Sequence, residues 1–282
     1  MSIHILSHYR SHAPNLPPFA IAYQPIVNLP ARRVVAYEAL VRGVGNVSYP
    51  DLIAGMDPDT LYAFHRCIAD ETIRCAVDLG LSERKASLTI NIHPDLDPRA
   101  LRPDELRAMA IRHGLPVSRI LIELTEDHRL TLPQLHEILN RNKAAGFATA
   151  MDDFGCGYSG LASLAECRPD ILKLDRALVK DIDNNEVKQK IVGAFVRVCQ
   201  SLRMVLIAEG IETLDECRML RHLGIKFMQG YFFSRPVIGS LPRFEECNGE
   251  QPIANYGRKK SQMDSAFVVI SWNENTTAVK TA

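Results

Sequence analysis

Eight short apolar runs punctuate the chain, and each carries a polar or charged residue at or near its end. The runs AIAYQ, RVVAYE, LTIN, ILIE, ATAMDD, ILKL, VLIAE and KFMQ present Gln24, Glu38, Asn91, Glu123, Asp152 with Asp153, Lys173, Glu209 and Gln229. Short apolar runs between turn signals mark buried strands. Eight in sequence predict strands closing into one barrel, with a reactive ring at their C-terminal ends. That rim is where barrels of this kind carry their chemistry. The ring is rich in carboxylates and holds a lysine. Oxygen donors of this sort suit hard divalent cations such as Mg²⁺ or Mn²⁺.

The first two runs, near 19–27 and 33–40, are separated only by Asn28 to Arg32. A parallel crossover needs about a dozen residues. The first strand is therefore expected to run antiparallel to the second, through a tight turn at Asn28-Leu29-Pro30. Beyond this point apolar runs alternate with helical spacing over 60–79, 103–113, 132–145, 186–202 and 214–223. Thr213 with Glu216 three residues on reads as a helix start. Strand, helix, strand over some 200 residues predicts a parallel sheet with helices outside. The expected fold is α/β, a TIM-like (β/α)₈ barrel with its first strand antiparallel. It spans 18–245, with a leader over 1–17 and a polar tail over 246–282 in which only AFVVISW is apolar.

Basic and acidic residues balance at 33 each, which argues against a nucleic-acid polymer as partner. A small anion held by cations and an arginine remains compatible. The seven cysteines form no CxxC pair, so neither a disulfide framework nor a zinc site is expected, and a reducing cytoplasmic setting is. The N-terminal MSIHILSHYRSHAPNLPP does not read as a secretory signal, and no window approaches the roughly 18 apolar residues of a membrane span.

Several of these residues have a plain reading when taken alone. A glutamate such as Glu38 is usually a solvated rim charge, a buried asparagine such as Asn91 is usually structural, and a strand lysine usually faces water. Asp152 and Asp153 are harder to dismiss. Two adjacent carboxylates repel each other unless a cation lies nearby, and Gly155 and Gly157 free the backbone just beyond. His93 is expected to point away from Asn91 and either to support the site from behind or to be structural. No Ser-His-Asp, Cys-His or Walker-type pattern is present.

Taken jointly, QPIV (24–27), YEALVR (37–42), Asn91, ELTE (123–126), DDFGCGYS (152–159), KLD (173–175), AEGIE (208–212) and QGY (229–231) resemble the EAL-domain family of bacterial cyclic di-GMP phosphodiesterases. The resemblance covers about residues 18–240. It implies hydrolysis of cyclic di-GMP to linear pGpG with two Mg²⁺ or Mn²⁺ ions per site. By the family pattern Glu38, Asn91, Glu123 and Asp152 would hold one ion, and Asp152, Asp153 and Glu209 a second. Lys173 would position or polarise the attacking water, with Glu38 and Glu209 completing the catalytic group. Gln24, Leu40, Arg42, Asp175 and Gln229 would meet the substrate. Glu126 and Glu212 would support the loops. A homodimer is also implied, with regulation through the leader, the tail or a partner protein, and no sensor or synthase domain is expected beside the barrel. Cys156 and Gly160 stand where many family members have hydroxyl residues. A thiol at 156 predicts that oxidation lowers activity. Two other readings compete: a module that binds cyclic di-GMP without cleaving it, and a cation-dependent hydrolase of another substrate on the same fold.

Overall fold

In a computed structural model, which describes residues 16–93, 102–125, 130–155 and 164–246, eight strands close into a ring. β1 (Phe19–Asn28) and β2 (Arg33–Gly43) form an antiparallel pair with Gln24 opposite Glu38. The turn between them is tight because Ala31 N donates to Asn28 Oδ1 at 3.0 Å and Arg32 takes φ 51°. β3 (Ser87–Ile92), β4 (Ile120–Thr125), β5 (Ala148–Phe154), β6 (Ile171–Leu174), β7 (Val205–Ala208) and β8 (Phe227–Met228) then follow in parallel, each beside its predecessor. Met228 pairs with Val27, antiparallel, and closes the barrel. The fold is the TIM-like barrel with a reversed first strand that the sequence predicts.

The reversal changes one expectation. Only β2 to β8 present their C-terminal ends at the reactive rim, because Phe19 at the start of β1 lies opposite Gly43. Gln24 reaches the ring from the middle of its strand, and Glu38 likewise sits mid-strand in β2. A second difference lies after Pro236, where the sequence pattern breaks down. β8 spans only the lower end of β1, and β9 (Val237–Ile238) fills the seam above it by pairing with Tyr23 and Ala22. A two-residue strand has no periodicity to read.

Seven helical segments of at least four residues lie outside the ring among the described residues: α1 (Tyr49–Ile53), α2 (Pro58–Asp78), α3 (Pro103–Arg112), α4 (Leu132–Ala144), α5 (Arg176–Val179), α6 (Glu186–Leu202) and α7 (Leu214–His222). The α2 start shows why the boundaries are legible. Asp57 accepts from the Asp59 and Thr60 amides at 3.0 Å each, and Pro58 pre-sets the first helical φ. The apolar faces of α2, α4 and α7 bury Phe64 and Ile73, Leu135 and Leu139, and Leu220 against outward-facing strand residues such as Leu88, Ile122 and Met228.

The barrel interior has its own small apolar core of Ile26, Ala36, Leu121, Ala150, Ile171 and Ile207, with Phe227 packed against it. Two residues nearer the rim on the same seven strands stand Gln24, Glu38, Glu123, Asp152, Lys173, Glu209 and Gln229. The period-two alternation of a strand keeps each such pair on the inner face. The apolar plug is therefore the floor on which the polar ring rests.

Candidate functional site

Lys173 is the centre of that ring. Its side chain is 0% exposed, and its Nζ lies 2.6 Å from Glu209, 3.0 Å from Asp152, 3.1 Å from Glu123 and 3.6 Å from Glu38. Amides orient the last of these. Gln229 Nε2 donates to Glu38 Oε2 and, at 3.1 Å, to Gln24 Oε1, while Gln24 Nε2 donates to Ser234 O at 3.0 Å. Asn91 Nδ2 approaches Glu38 Oε1 at 3.5 Å.

Asp152 and Asp153 converge through a local irregularity. Adjacent strand residues ordinarily face opposite ways. Here the pairing of β5 with β6 slips between Met151 and Phe154, and Asp153 sits at φ 55°. Such a bulge re-aims a side chain, and aspartate tolerates the left-handed region better than most residues. Carboxylate oxygens of Glu38, Glu123 and Asp152 consequently lie within 4.8 Å of one another, and so do those of Asp152, Asp153 and Glu209. Asp152 belongs to both groups.

The electrostatics of this cluster are unbalanced. Five carboxylates face one ammonium, which leaves four negative charges if all ionise, the amount two divalent cations neutralise. Burial pushes Glu123 up to about 8, against the pull of Lys173. Burial, with Asp152 and Asp175 nearby, pushes Asp153 up to about 6. Burial likewise holds Glu209 well above the usual carboxylate range. At Asp152 burial opposes ionisation, yet the Lys173 charge outweighs it and keeps this carboxyl below its ordinary value. Burial also opposes the charge on Lys173, and Asp152, Glu123, Glu209 and Glu38 together overcome it. Glu123 Oε2 is buried without a hydrogen-bond partner. An orphaned anionic oxygen is costly. This all-oxygen donor set, short of positive charge and with an unsatisfied oxygen, fits hard divalent cations.

One side of the ring opens into a cavity of about 260 Å³ lined by Glu38, Asn91, Asp152, Leu40 and Arg42, among others. Leu40 and Arg42 share the inner face with Glu38 by strand alternation. Two expected site residues lie outside the ion cluster around Lys173, with Asp175 close enough to Asp153 to raise its carboxyl. Asp175 caps α5, accepting from Ala177 N at 2.6 Å, and Glu212 pairs with Arg176 at 2.8 Å near the surface. Glu126, Cys156 and Gly160 lie outside the described residues. The expectation for His93 is corrected: two residues beyond Asn91 is the same strand face, and His93 lines the same cavity.

Residues 11–236 match the family model for the EAL domain. The chain belongs to the EAL domain family. It is 30% identical, over 78% of its own length, to the probable cyclic di-GMP phosphodiesterase PdeN of Escherichia coli and covers 43% of that protein. It is equally identical to the cyclic di-GMP phosphodiesterase RocR of Pseudomonas aeruginosa, covering 78% of itself and 57% of RocR. Among solved structures, a standalone EAL protein of Vibrio cholerae in its c-di-GMP-bound form matches with a TM-score of 0.72 and 33% identity, over 82% of this chain and 96% of that one. Klebsiella pneumoniae BlrP1 in a manganese and cyclic di-GMP complex matches with a TM-score of 0.73 and 34% identity, over 83% and 59%. The chain spans between 27% and 57% of the length of the curated relatives it matches.

Two features of this EAL domain escape a sequence reading. Tyr49 and His65 line the cavity beside His93, yet they come from α1 and α2 and no local pattern joins them. Glu216 does more than cap α7. Its Oε2 accepts from the Glu212 and Thr213 amides at 2.9 and 3.0 Å, and its Oε1 from Asp181 N at 3.0 Å, so one buried carboxylate ties together the segments that follow β6 and β7.

Proposed function

We propose that this chain is a cation-dependent phosphodiesterase that hydrolyses cyclic di-GMP to linear pGpG. The observation that carries the reading is the pair of carboxylate groups sharing Asp152 around a buried lysine, beside an arginine-lined cavity. Relatives named as cyclic di-GMP phosphodiesterases support the choice of substrate. Glu38, Asn91, Glu123 and Asp152 would hold one Mg²⁺ or Mn²⁺, and Asp152, Asp153 and Glu209 the other. Bound there, two cations supply an acidified water and neutralise charge on the transferring phosphoryl group.

The protein's own groups do the rest. Arg42 offers planar donors to a phosphate oxygen at the cavity wall. Gln24 and Gln229 hold the Glu38 carboxylate in place through their amide chain. Lys173, kept cationic by its carboxylate neighbours, donates to the attacking water and to the developing negative charge. Water adds to phosphorus, the P–O3′ bond breaks, the 3′-oxygen takes up a proton, and the phosphate stays on the 5′ side. Glu209 stands closest to Lys173 and serves better as cation ligand than as base. The same reading has the chain acting in the cytoplasm as a homodimer. Light scattering of the purified chain checks the dimer.

A second reading has one observation in its favour. The chain is also 30% identical to BluF of Escherichia coli, named a blue light- and temperature-regulated antirepressor. A module that binds cyclic di-GMP without cleaving it could sit on the same fold. The complete polar ring favours cleavage. Incubation with cyclic di-GMP and Mg²⁺ or Mn²⁺, followed by chromatography, separates the two. The expected product is pGpG, lost with EDTA and with Glu38→Ala. Tight binding without product would overturn the enzymatic reading.

A further inference from the structure

We propose that Thr89 is a positioning residue for cation binding, its hydroxyl donating to Glu123 Oε2 once that carboxylate holds an ion. The inference rests on the two-cation reading of the ring and adds a residue to it. Thr89 is 0% exposed, and its Oγ1 has no hydrogen-bond partner among the described residues. Burying a hydroxyl without a partner is costly. Its neighbours Leu88 and Ile90 pack outward into the main core, so Thr89 faces the barrel interior. There it breaks a pattern. Ala36, Leu121, Ala150, Ile171 and Ile207 hold the matching place on five other strands, two residues below the ring. Valine would fill the same space on β3 and bury no donor. Proteins break such local rules chiefly where function requires it.

Strand register names the acceptor. Two carboxylates flank Thr89 on the inner face. Glu38 stands beside it on β2, and Glu123 lies diagonally across on β4, since Thr89 pairs with Leu121 and Asn91 with Glu123. Both Glu38 oxygens already have amide neighbours, Gln229 at Oε2 and Asn91 at Oε1. Glu123 Oε1 lies 3.1 Å from Lys173 Nζ. Of these four oxygens, only Glu123 Oε2 is buried without a partner among the described residues. Adjacent strands thus hold one unused donor and one unused acceptor. Threonine χ1 and the longer glutamate stem give the two groups freedom to meet. A carboxylate oxygen that ligates a cation keeps a second lone pair, and ligating carboxylates are ordinarily fixed by an outer hydrogen bond.

The test compares Thr89→Val, which keeps the shape and removes the hydroxyl, with Thr89→Ser, which keeps the hydroxyl. Mn²⁺ binding is measured by equilibrium dialysis on the full chain without nucleotide. Thr89→Val should weaken Mn²⁺ affinity about tenfold to a hundredfold, the usual loss when a ligand's outer partner is removed, while Thr89→Ser stays within about threefold of wild type. In EDTA, Thr89→Val should melt no lower than wild type, because the hydroxyl makes no hydrogen bond there to lose. A packing role predicts the reverse: lower melting in EDTA with Mn²⁺ affinity unchanged. Thr89→Ala removes the hydroxyl without adding bulk and repeats the measurement should valine not fit. Wild-type Mn²⁺ affinity in folded Thr89→Val or Thr89→Ala, or an equal loss in Thr89→Ser, would overturn the positioning role alone. A wild type that binds no Mn²⁺ would remove the two-cation reading and this inference with it.

Discussion

Lys173 shows what a single residue does in this ring. Its ammonium is fully buried and serves four carboxylates at once. Methionine would keep the volume of the stem and remove the charge. In metal-free protein Lys173→Met should therefore lower unfolding free energy by about 3–5 kcal/mol, the usual loss when one partner of a buried ion cluster is deleted. Added Mn²⁺ should restore part of it. In turnover, kcat should fall about 10²- to 10⁴-fold while KM stays within about threefold. A rise in KM with kcat unchanged would contradict the role given to this lysine. The ring residues themselves are legible in the sequence, because each lies near the end of an apolar run. Asp153 is legible as a candidate ligand beside Asp152, but the means is not: only the bulge in β5 turns its carboxylate to the same side as that of Asp152. Tyr49 and His65 beside His93 are not legible for a different reason, since their meeting is purely tertiary.

At the scale of elements, the strands and main helices follow from periodicity, and the antiparallel start follows from the short link before Arg33. The clamp made by Glu216 does not, because one of its three backbone partners is Asp181, far off in sequence. Burial alone would raise the Glu216 carboxyl, but the amides of Glu212, Asp181 and Thr213 outweigh it and hold its pKa below the ordinary 4.5. A carboxyl depressed on folding stabilises the native state above its unfolded value, and that contribution is lost as pH falls through the folded value. At about pH 7, Glu216→Gln should lower stability by about 1–3 kcal/mol, because an amide nitrogen then faces a backbone donor. Urea unfolding should show this gap closing as pH is taken down through about 4 toward 2. A gap that stays constant with pH would mean that the carboxylate charge is not what holds these segments.

The whole molecule places an apolar plug beneath a polar ring inside one closed sheet. Reversal of β1 brings Gln24 opposite Glu38, and the amide chain from Gln229 to Ser234 crosses the seam that β8 and β9 complete. A close approach at this seam also fixes one residue: a Cβ on Gly230 would lie 2.1 Å from Ile211 O, so Gly230→Ala should unfold the rim locally and reduce Mn²⁺ affinity. The proposed function requires two cations that share Asp152 in this ring. Counting bound Mn²⁺ by equilibrium dialysis, on the full chain with cyclic di-GMP absent, tests it most directly. Wild type should bind two ions per chain, and Asp152→Asn should lose tight binding of both. No tight binding by the wild type, or two ions still bound tightly by Asp152→Asn, would contradict it.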